Sequence, residues 1–335
     1  MKKRILGRTG LEVSVVGLGG IPLQGIDPAA AARVVEEALS AGIDFVDTAR
    51  GYTDSEEKIG RALEGRRDAV AIASKAMSRS AGGMRRELEE SLRDLRTDRI
   101  DLYQLHAVSS GDQLDRALGP EGAFEALDRA RDRGEVRFIG VTGHVPELIL
   151  KAIETGLFDT VQIPLNPLET RWIEAVVPAA RERSIGVIGM KPLAGGALRN
   201  APAALRFALG RGADVVIPGM DSPDQVRQNA GAVEAGLEPT AEDLTALEEE
   251  GRAWVGHFCR RCGYCKPCPN GLEIPLLLLI EAYYTRYGLR DWALERLATL
   301  DKGYADCTAC GECTTRCPYE LPVAELMAEA AEKVR

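Results

Sequence analysis

Ile43-Asp44-Phe45-Val46-Asp47-Thr48-Ala49-Arg50-Gly51-Tyr52, followed by Thr53-Asp54-Ser55-Glu56, governs how the rest of this chain is read. A short apolar run ends in an acid, and a glycine loop then delivers a tyrosine before a helix begins. Two later runs end alike: Ala71-Ile72-Ala73-Ser74 leads into Lys75, and Asp101-Leu102-Tyr103-Gln104-Leu105 leads into His106. If these strands are parallel neighbours, Asp47, Tyr52, Lys75 and His106 all lie at their C-terminal ends, where α/β folds keep their chemistry.

Those four residue types make one chemical device. A free tyrosine titrates near pH ~10, too high for easy proton exchange at neutrality. A buried lysine beside it favours the phenolate and lowers that value. An aspartate paired with the lysine keeps it charged, since an unpaired buried ammonium tends to lose its proton. A histidine nearby can hydrogen-bond a carbonyl oxygen and orient it. Taken singly, Asp47 could cap a loop, Lys75 and Tyr52 could be surface, and His106 could be a core polar group. It is their joint position at successive strand ends that points to a site delivering a proton to a carbonyl that receives a hydride.

The four residues resemble the Asp-Tyr-Lys-His tetrad of the aldo-keto reductases, in the same order and at about the same spacings, and the resemblance covers roughly residues 3 to 250. It implies Asp47, Tyr52, Lys75 and His106 as the catalytic set. Strand and helix patterns alternate through eight β/α units, the signature of an α/β (β/α)8 TIM barrel. Ile5 to Val13 reads as a hairpin, similar to the plug at the bottom of the barrel in that family. Val13 to Val16 is expected as the first barrel strand, entering the tight loop Gly17-Leu18-Gly19-Gly20. The third glycine is misplaced for a dinucleotide fingerprint.

The resemblance implies a nucleotide across the barrel mouth, and several positions can be set against it. Gln162 matches a glutamine that holds the carboxamide, and Asn229 an asparagine near the adenine. Thr142 stands for the serine of a Ser-Asn pair whose second member here is Gly143. Met190 replaces the stacking aromatic before Lys191-Pro192-Leu193, and Pro192, Leu193 and Gly19 are counted with this site. The loop Ile217 to Gln225 puts Gly219 and Gln225 where many members carry a lysine and an arginine for the 2′-phosphate. Asp221 and Asp224 beside them would repel that phosphate. NADP(H), NAD(H) and a flavin therefore all remain candidates for the barrel.

The chain has 335 residues, 45% hydrophobic and 28% charged, with net charge −9. That is an ordinary globule, and the acidic balance argues against nucleic-acid binding. The basic start Met1-Lys2-Lys3-Arg4 is followed by no apolar signal region. The longest apolar run, Ile274 to Ile280, is too short to span a bilayer. A cytoplasmic location is expected.

All eight cysteines lie beyond residue 258, which marks a separate metal-binding module in a reducing compartment. We draw the barrel at 1–254 and this module at 255–335. Cys307, Cys310, Cys313 and Cys317-Pro318 match the bacterial ferredoxin run outright. Cys259, Cys262, Cys265 and Cys268-Pro269 depart from it by one residue before the last cysteine. Paired C-x2-C also suits tetrahedral zinc; the triplets and trailing prolines favour two [4Fe-4S] clusters. Exchanged fourth ligands are expected, giving Cys259, Cys262, Cys265 and Cys317 to one cluster and Cys307, Cys310, Cys313 and Cys268 to the other. Pro275 to Ala298 reads as helical, with Tyr283, Tyr284, Trp292 and Leu294 available as shielding. The module resembles the α-helical type of ferredoxin domain carried by an iron–sulfur branch of the aldo-keto reductases.

Clusters pass single electrons, whereas nicotinamide passes a hydride, and joining the two requires a relay. The expected function is an oxidoreductase that interconverts a carbonyl and an alcohol, with Tyr52 as general acid/base. Its clusters would exchange electrons with a soluble ferredoxin or flavodoxin, to which Arg260, Arg261 and Lys266 could present positive charge. The alternative is an electron-transfer or redox-sensing protein whose barrel is catalytically quiet or uses a flavin.

Overall fold

The computed structural model of the chain describes residues 1–334. These fall into two compact units, one of Met1–Ala194 with Asn200–Thr245, the other of Gly195–Arg199 with the chain from Ala246 onward.

The first unit opens with an antiparallel hairpin, β1 (Lys3–Ile5) and β2 (Glu12–Ser14). Eight parallel strands follow: β3 (Leu18–Gly19), β4 (Phe45–Asp47), β5 (Ala71–Ala76), β6 (Ile100–Val108), β7 (Val136–Gly143), β8 (Thr160–Pro164), β9 (Gly186–Met190) and β10 (Val215–Ile217). Each pairs with the next in chain order. The ends meet where Gly17 N–H donates to Val216 O at 2.8 Å and Gly19 N–H to Pro218 O at 2.9 Å, so the sheet curls into a nearly closed barrel. The expected TIM-barrel architecture is borne out.

Helices α1 (Pro28–Ser40), α2 (Ser55–Ala62), α3 (Ala81–Asp94), α4 (Gly111–Leu118), α5 (Ala123–Asp132), α6 (Pro146–Glu154), α7 (Val177–Glu182), α8 (Ala201–Gly210) and α9 (Pro223–Gly231) lie between and after the strands. Their starts follow local chemistry. The Asp27 carboxylate accepts from Ala30 N–H with Pro28 in the first turn, and the apolar stripe Ala31, Val34, Val35 and Ala38 is buried. Leu6, Val13, Phe45, Leu102, Ile188, Met190 and Ile217 pack inside the barrel. A larger core fills the layer between strands and helices.

The barrel departs from expectation at its first strand and after β6. Val13 and Ser14 pair with the hairpin rather than the barrel, and the first barrel strand is only Leu18–Gly19. Lys3 claims Ser14 as its partner, so only the chain beyond Val15 is free to reach the barrel sheet. Helix α4 was not expected; Ser110 caps it by accepting from Gln113 N–H, and only Leu114 and Ala117 are buried, too few for a visible stripe. Helix α7 is preceded by a π-helical turn, Trp172–Val176.

Helix α10 (Ala241–Arg252) leads into the second unit, which holds α11 (Ile274–Thr285), α12 (Arg290–Ala298), the short α13 (Glu312–Thr315) and α14 (Val323–Lys333). The single helix expected from Pro275 to Ala298 is two, parted by Gly288 at φ +69°. Leu277, Tyr304, Leu321, Val323, Met327 and Ala330 form this unit's core, against which most of the cysteines pack. Among the described residues no helix is long and apolar enough to cross a membrane.

Candidate active site and cluster centre

Lys75, near the end of β5, points its ammonium at Asp47, the last residue of β4, with Nζ–Oδ2 at 2.7 Å. The same ammonium donates to Thr48 O at 2.8 Å. Both side chains are almost wholly buried. Tyr52 lies on the loop after β4, and Lys75 Nζ is 5.1 Å from its ring centroid. His106 meets the same ring edge-on, with centroids 5.9 Å apart. The four predicted residues are thus brought together at the C-terminal end of the barrel strands.

Local structure aims each of them. His106 sits in a bulge, where β6 takes one extra residue against β7 and Ala107 has φ +54°. Thr142 Oγ1 accepts from the Ala107 N–H at 2.8 Å, and Arg79 donates to His106 O at 2.5 Å, holding the bulge in place. The Tyr52 loop is tied down by Ser55 Oγ, which donates to Gly20 O at 2.9 Å, and by Lys58, which donates to Leu23 O at 2.9 Å.

Burial pushes the Asp47 carboxyl up, against the pull of Lys75 and the facing Gln162 amide. Burial likewise pushes Lys75 down, and Asp47 opposes it. At 2.7 Å the pair remains an ion pair whose members hold each other charged. Sequence reasoning missed Glu56. This buried carboxylate accepts from Ser74 Oγ at 2.5 Å, pairs with Arg50, and adds to the field that keeps Lys75 protonated. Its signal was an acid one turn after Tyr52 at the start of a helix. Gln104 was also missed; it donates to Gln162 Oε1 at 2.8 Å and shows in sequence as one polar residue among Leu102, Tyr103 and Leu105.

The nucleotide-site positions divide into two groups. Gln162 is buried in the middle of β8, and Thr142 and Met190 are buried near the ends of β7 and β9. Pro192 is buried and Leu193 half-buried in the following loop. Asp47 Oδ1 is a buried acceptor that makes no hydrogen bond of ordinary length and feels only the pull of the Gln162 amide, so this end fits a ligand that brings a donor, such as a sugar hydroxyl. Gly19 and Gly219 face one another where the barrel closes. Gly219 and Gln225 are exposed beside Asp221, and Gln225 Oε1 is occupied by the Asp221 N–H at 2.9 Å. Asn229 is buried on α9. This loop offers no cation at the two positions and does not fit a 2′-phosphate.

In the second unit, Cys268, Cys307, Cys310 and Cys313 line one cavity, together with Leu272 and Met327. Cys262 and Cys317 lie close enough to Cys259 to act on its ionisation, and the Arg261 N–H donates to its sulfur. Burial pushes the Cys265 thiol up to about 12, and Cys259 and Cys262 add to that. Such thiols release their protons to a strongly attracting metal centre. The two loops share a backbone pattern: φ is positive at Arg261 and Gly263, and at the matching Ala309 and Gly311. Turns of this kind gather N–H groups around anionic centres, iron–sulfur clusters among them. The donor set and the loops fit [4Fe-4S] clusters. Arg260 stacks over Tyr319 at 4.0 Å and Lys266 pairs with Glu273, so part of the expected positive patch is already engaged.

Residues 15–204 match the Aldo/keto reductase family, and residues 258–322 match the 4Fe-4S dicluster domain. The chain is 30% identical over 216 residues to the oxidoreductase YqkF of Bacillus subtilis (strain 168), spanning 60% of this chain and 68% of that one. It is 29% identical over 297 residues to L-galactose dehydrogenase of Arabidopsis thaliana, spanning 73% of this chain and 92% of the relative. Among solved structures, the holo form of aldo-keto reductase AKR11C1 from Bacillus halodurans superposes with a TM-score of 0.64 at 28% identity, covering 75% of this chain and 96% of that one.

Proposed function

From the premise that this chain belongs to the aldo/keto reductase family of oxidoreductases and carries a 4Fe-4S dicluster domain, we propose that its barrel interconverts a small carbonyl and its alcohol, with Tyr52 as general acid/base. The observation that supports this most is the buried Asp47–Lys75 pair, with Lys75 Nζ 5.1 Å from the Tyr52 ring. The Lys75 charge favours the Tyr52 phenolate and brings its proton within reach at neutral pH. Asp47 and Glu56 keep Lys75 charged. In the reducing direction Tyr52 Oη gives its proton to the carbonyl oxygen as that oxygen gains charge, and His106 orients the same oxygen. A nicotinamide nucleotide, when bound, supplies the hydride. Asp47 Oδ1, Thr142 and Gln162 are the groups that would hold its reacting end, with Gly19, Met190, Pro192, Leu193 and Asn229 around it. Because Gly219 and Gln225 supply no cation, we favour NAD(H) over NADP(H).

The eight cysteines would hold two [4Fe-4S] clusters with exchanged fourth ligands. The clusters would trade single electrons with a soluble ferredoxin or flavodoxin in a reducing, cytoplasmic setting. Arg260, Arg261 and Lys266 would present positive charge to such a carrier, with Arg260 also stacked on Tyr319 and Lys266 also paired with Glu273. Tyr52→Phe should lower carbonyl reduction by about 100-fold or more while iron content is unchanged. Wild-type turnover in that variant would remove Tyr52 from the chemistry.

A further inference from the structure

We propose that a cleft in the cysteine-bearing unit binds a planar aromatic anion of the flavin mononucleotide class, seated against Cys259. The cleft encloses about 510 Å³ and is lined by Trp254, Phe258, Cys259, Arg261, Arg286 and Lys333, with the apolar faces of α11 and α14 behind them. That volume is within the ~300–1,000 Å³ typical of small-molecule sites.

The polar groups select an anion. Three cations line the cleft, Arg261, Arg286 and Lys333, against two acids, Glu281 and Glu329. Lys333 pairs with Glu329 at 3.3 Å. Arg286 is only 23% exposed, and its Nε donates to Gly195 O at 3.2 Å. Its Nη1 stands 3.9 Å from Glu281, beyond hydrogen-bond length. A guanidinium has five N–H donors in a fixed fork, and Arg286 lines the cleft with no acceptor at bonding distance from its terminal nitrogens among the described residues. That is the arrangement that grips a phosphate or carboxylate.

The aromatic wall selects a ring. Trp254 is fixed by its own N–H, which donates to Ala197 O at 2.8 Å, and by Phe258 edge-on at 6.4 Å. Arg286 lies over the indole at 5.1 Å. A rigid aromatic with a cation beside it suits a flat ring bearing an anionic tail.

Cys259 gives the site its role, and this step rests on the reading of the cysteines as cluster ligands. A ligand here would touch a cluster ligand directly. A flavin exchanges electrons both in pairs and singly. A reduced flavin held there would give up two electrons and release two protons to solvent, and each of the two clusters would take one electron, going from 2+ to 1+. The cleft thereby supplies the relay between two-electron and one-electron chemistry.

The test uses the full chain with its clusters reconstituted anaerobically and its iron counted. Flavin mononucleotide is titrated by the quenching of its fluorescence, with riboflavin and inorganic phosphate in parallel. Saturable quenching is expected, with riboflavin about tenfold weaker because it lacks the charge-assisted grip. Arg286→Gln should weaken the mononucleotide by about the same factor at unchanged iron content. Trp254→Leu, the second variant, should weaken both flavins. Absence of saturable quenching by a chain holding about eight iron atoms, or equal binding by wild type and both variants, overturns the site. Equal affinity for the mononucleotide and riboflavin, or displacement of both by phosphate alone, also overturns it. Quenching by a chain that takes up no iron supports the site and sinks the cluster reading instead.

Discussion

The Lys75 ammonium lies 2.7 Å from Asp47 Oδ2, and neither side chain is more than a few per cent exposed. Such a pair is weak evidence of stability in itself, but breaking it by removing one partner is costly. Asp47→Asn should destabilise the barrel unit by about 3–5 kcal/mol, or leave it folded with a neutral Lys75. Burial already pushes Lys75 down, and loss of Asp47 removes the main group that opposes that, leaving only the weaker field of Glu56. A neutral Lys75 no longer favours the Tyr52 phenolate, so the limb of the pH–rate profile belonging to Tyr52 should move to higher pH. Urea unfolding and the pH–rate profile together check this; wild-type values in both would show the pair to be inert.

Asp101 tests the opposite sign. Burial pushes its carboxyl up, but the Ile72 N–H and then Arg67 and Arg137 outweigh that and hold it below the usual carboxylate range. The contacts are 3.0 Å to Ile72 N, 2.7 Å to Arg67 and 2.9 Å to Arg137. A lowered folded pKa gives stability that is present above the unfolded value of about 3.9 and lost as pH falls through the folded one. Asp101→Asn should therefore cost about 3–5 kcal/mol at neutral pH, with the gap to wild type closing below about pH 4. A gap that holds constant down to pH 3 would remove the ionised carboxylate as its source.

The proposed exchange of fourth ligands between the two cysteine motifs predicts a pattern in double variants. Cys317 acts on Cys259, while Cys268 lines the cavity of Cys307, Cys310 and Cys313. Cys259→Ser with Cys317→Ser should therefore lose one cluster, about four iron atoms of eight. Cys259→Ser with Cys268→Ser should lose both. Iron analysis and the low-temperature spectra of the reduced protein read the difference. The reverse pattern would assign each motif its own cluster.

Much of this molecule could be read from its residues, because the barrel's chemistry is punctuated by strand ends. Asp47, Lys75 and His106 each stop an apolar run, and the cysteines announce themselves by spacing alone. What escaped notice depends on the third dimension. The bulge that turns His106 has no residue signature, since Ala107 is an unremarkable alanine at φ +54°. Glu56 looked like a helix-start acid, and only the fold sets it behind Lys75 against Ser74 and Arg50. Helix α4 buries too little apolar surface to show a period. The cleft beside Cys259 draws on Trp254, Arg286 and Lys333, which are far apart in the chain.

Barrel closure hangs on a glycine. A Cβ at Gly19 would stand 2.7 Å from both Ile217 O and Pro218 O, the backbone that receives its own N–H at 2.9 Å. Backbone cannot swing aside as a side-chain tip can, and β3 is only two residues long, so the displacement falls on the seam itself. Gly19→Ala should destabilise the barrel unit by about 1–3 kcal/mol. At Gly111, on the first turn of α4, a Cβ would meet nothing within 4 Å. Gly111→Ala should be neutral or stabilising by up to about 1 kcal/mol, because it restricts only the unfolded chain. Equal unfolding midpoints for the two variants would mean that the seam at Gly19 yields, and that closure is held by the rest of β3 and the hairpin.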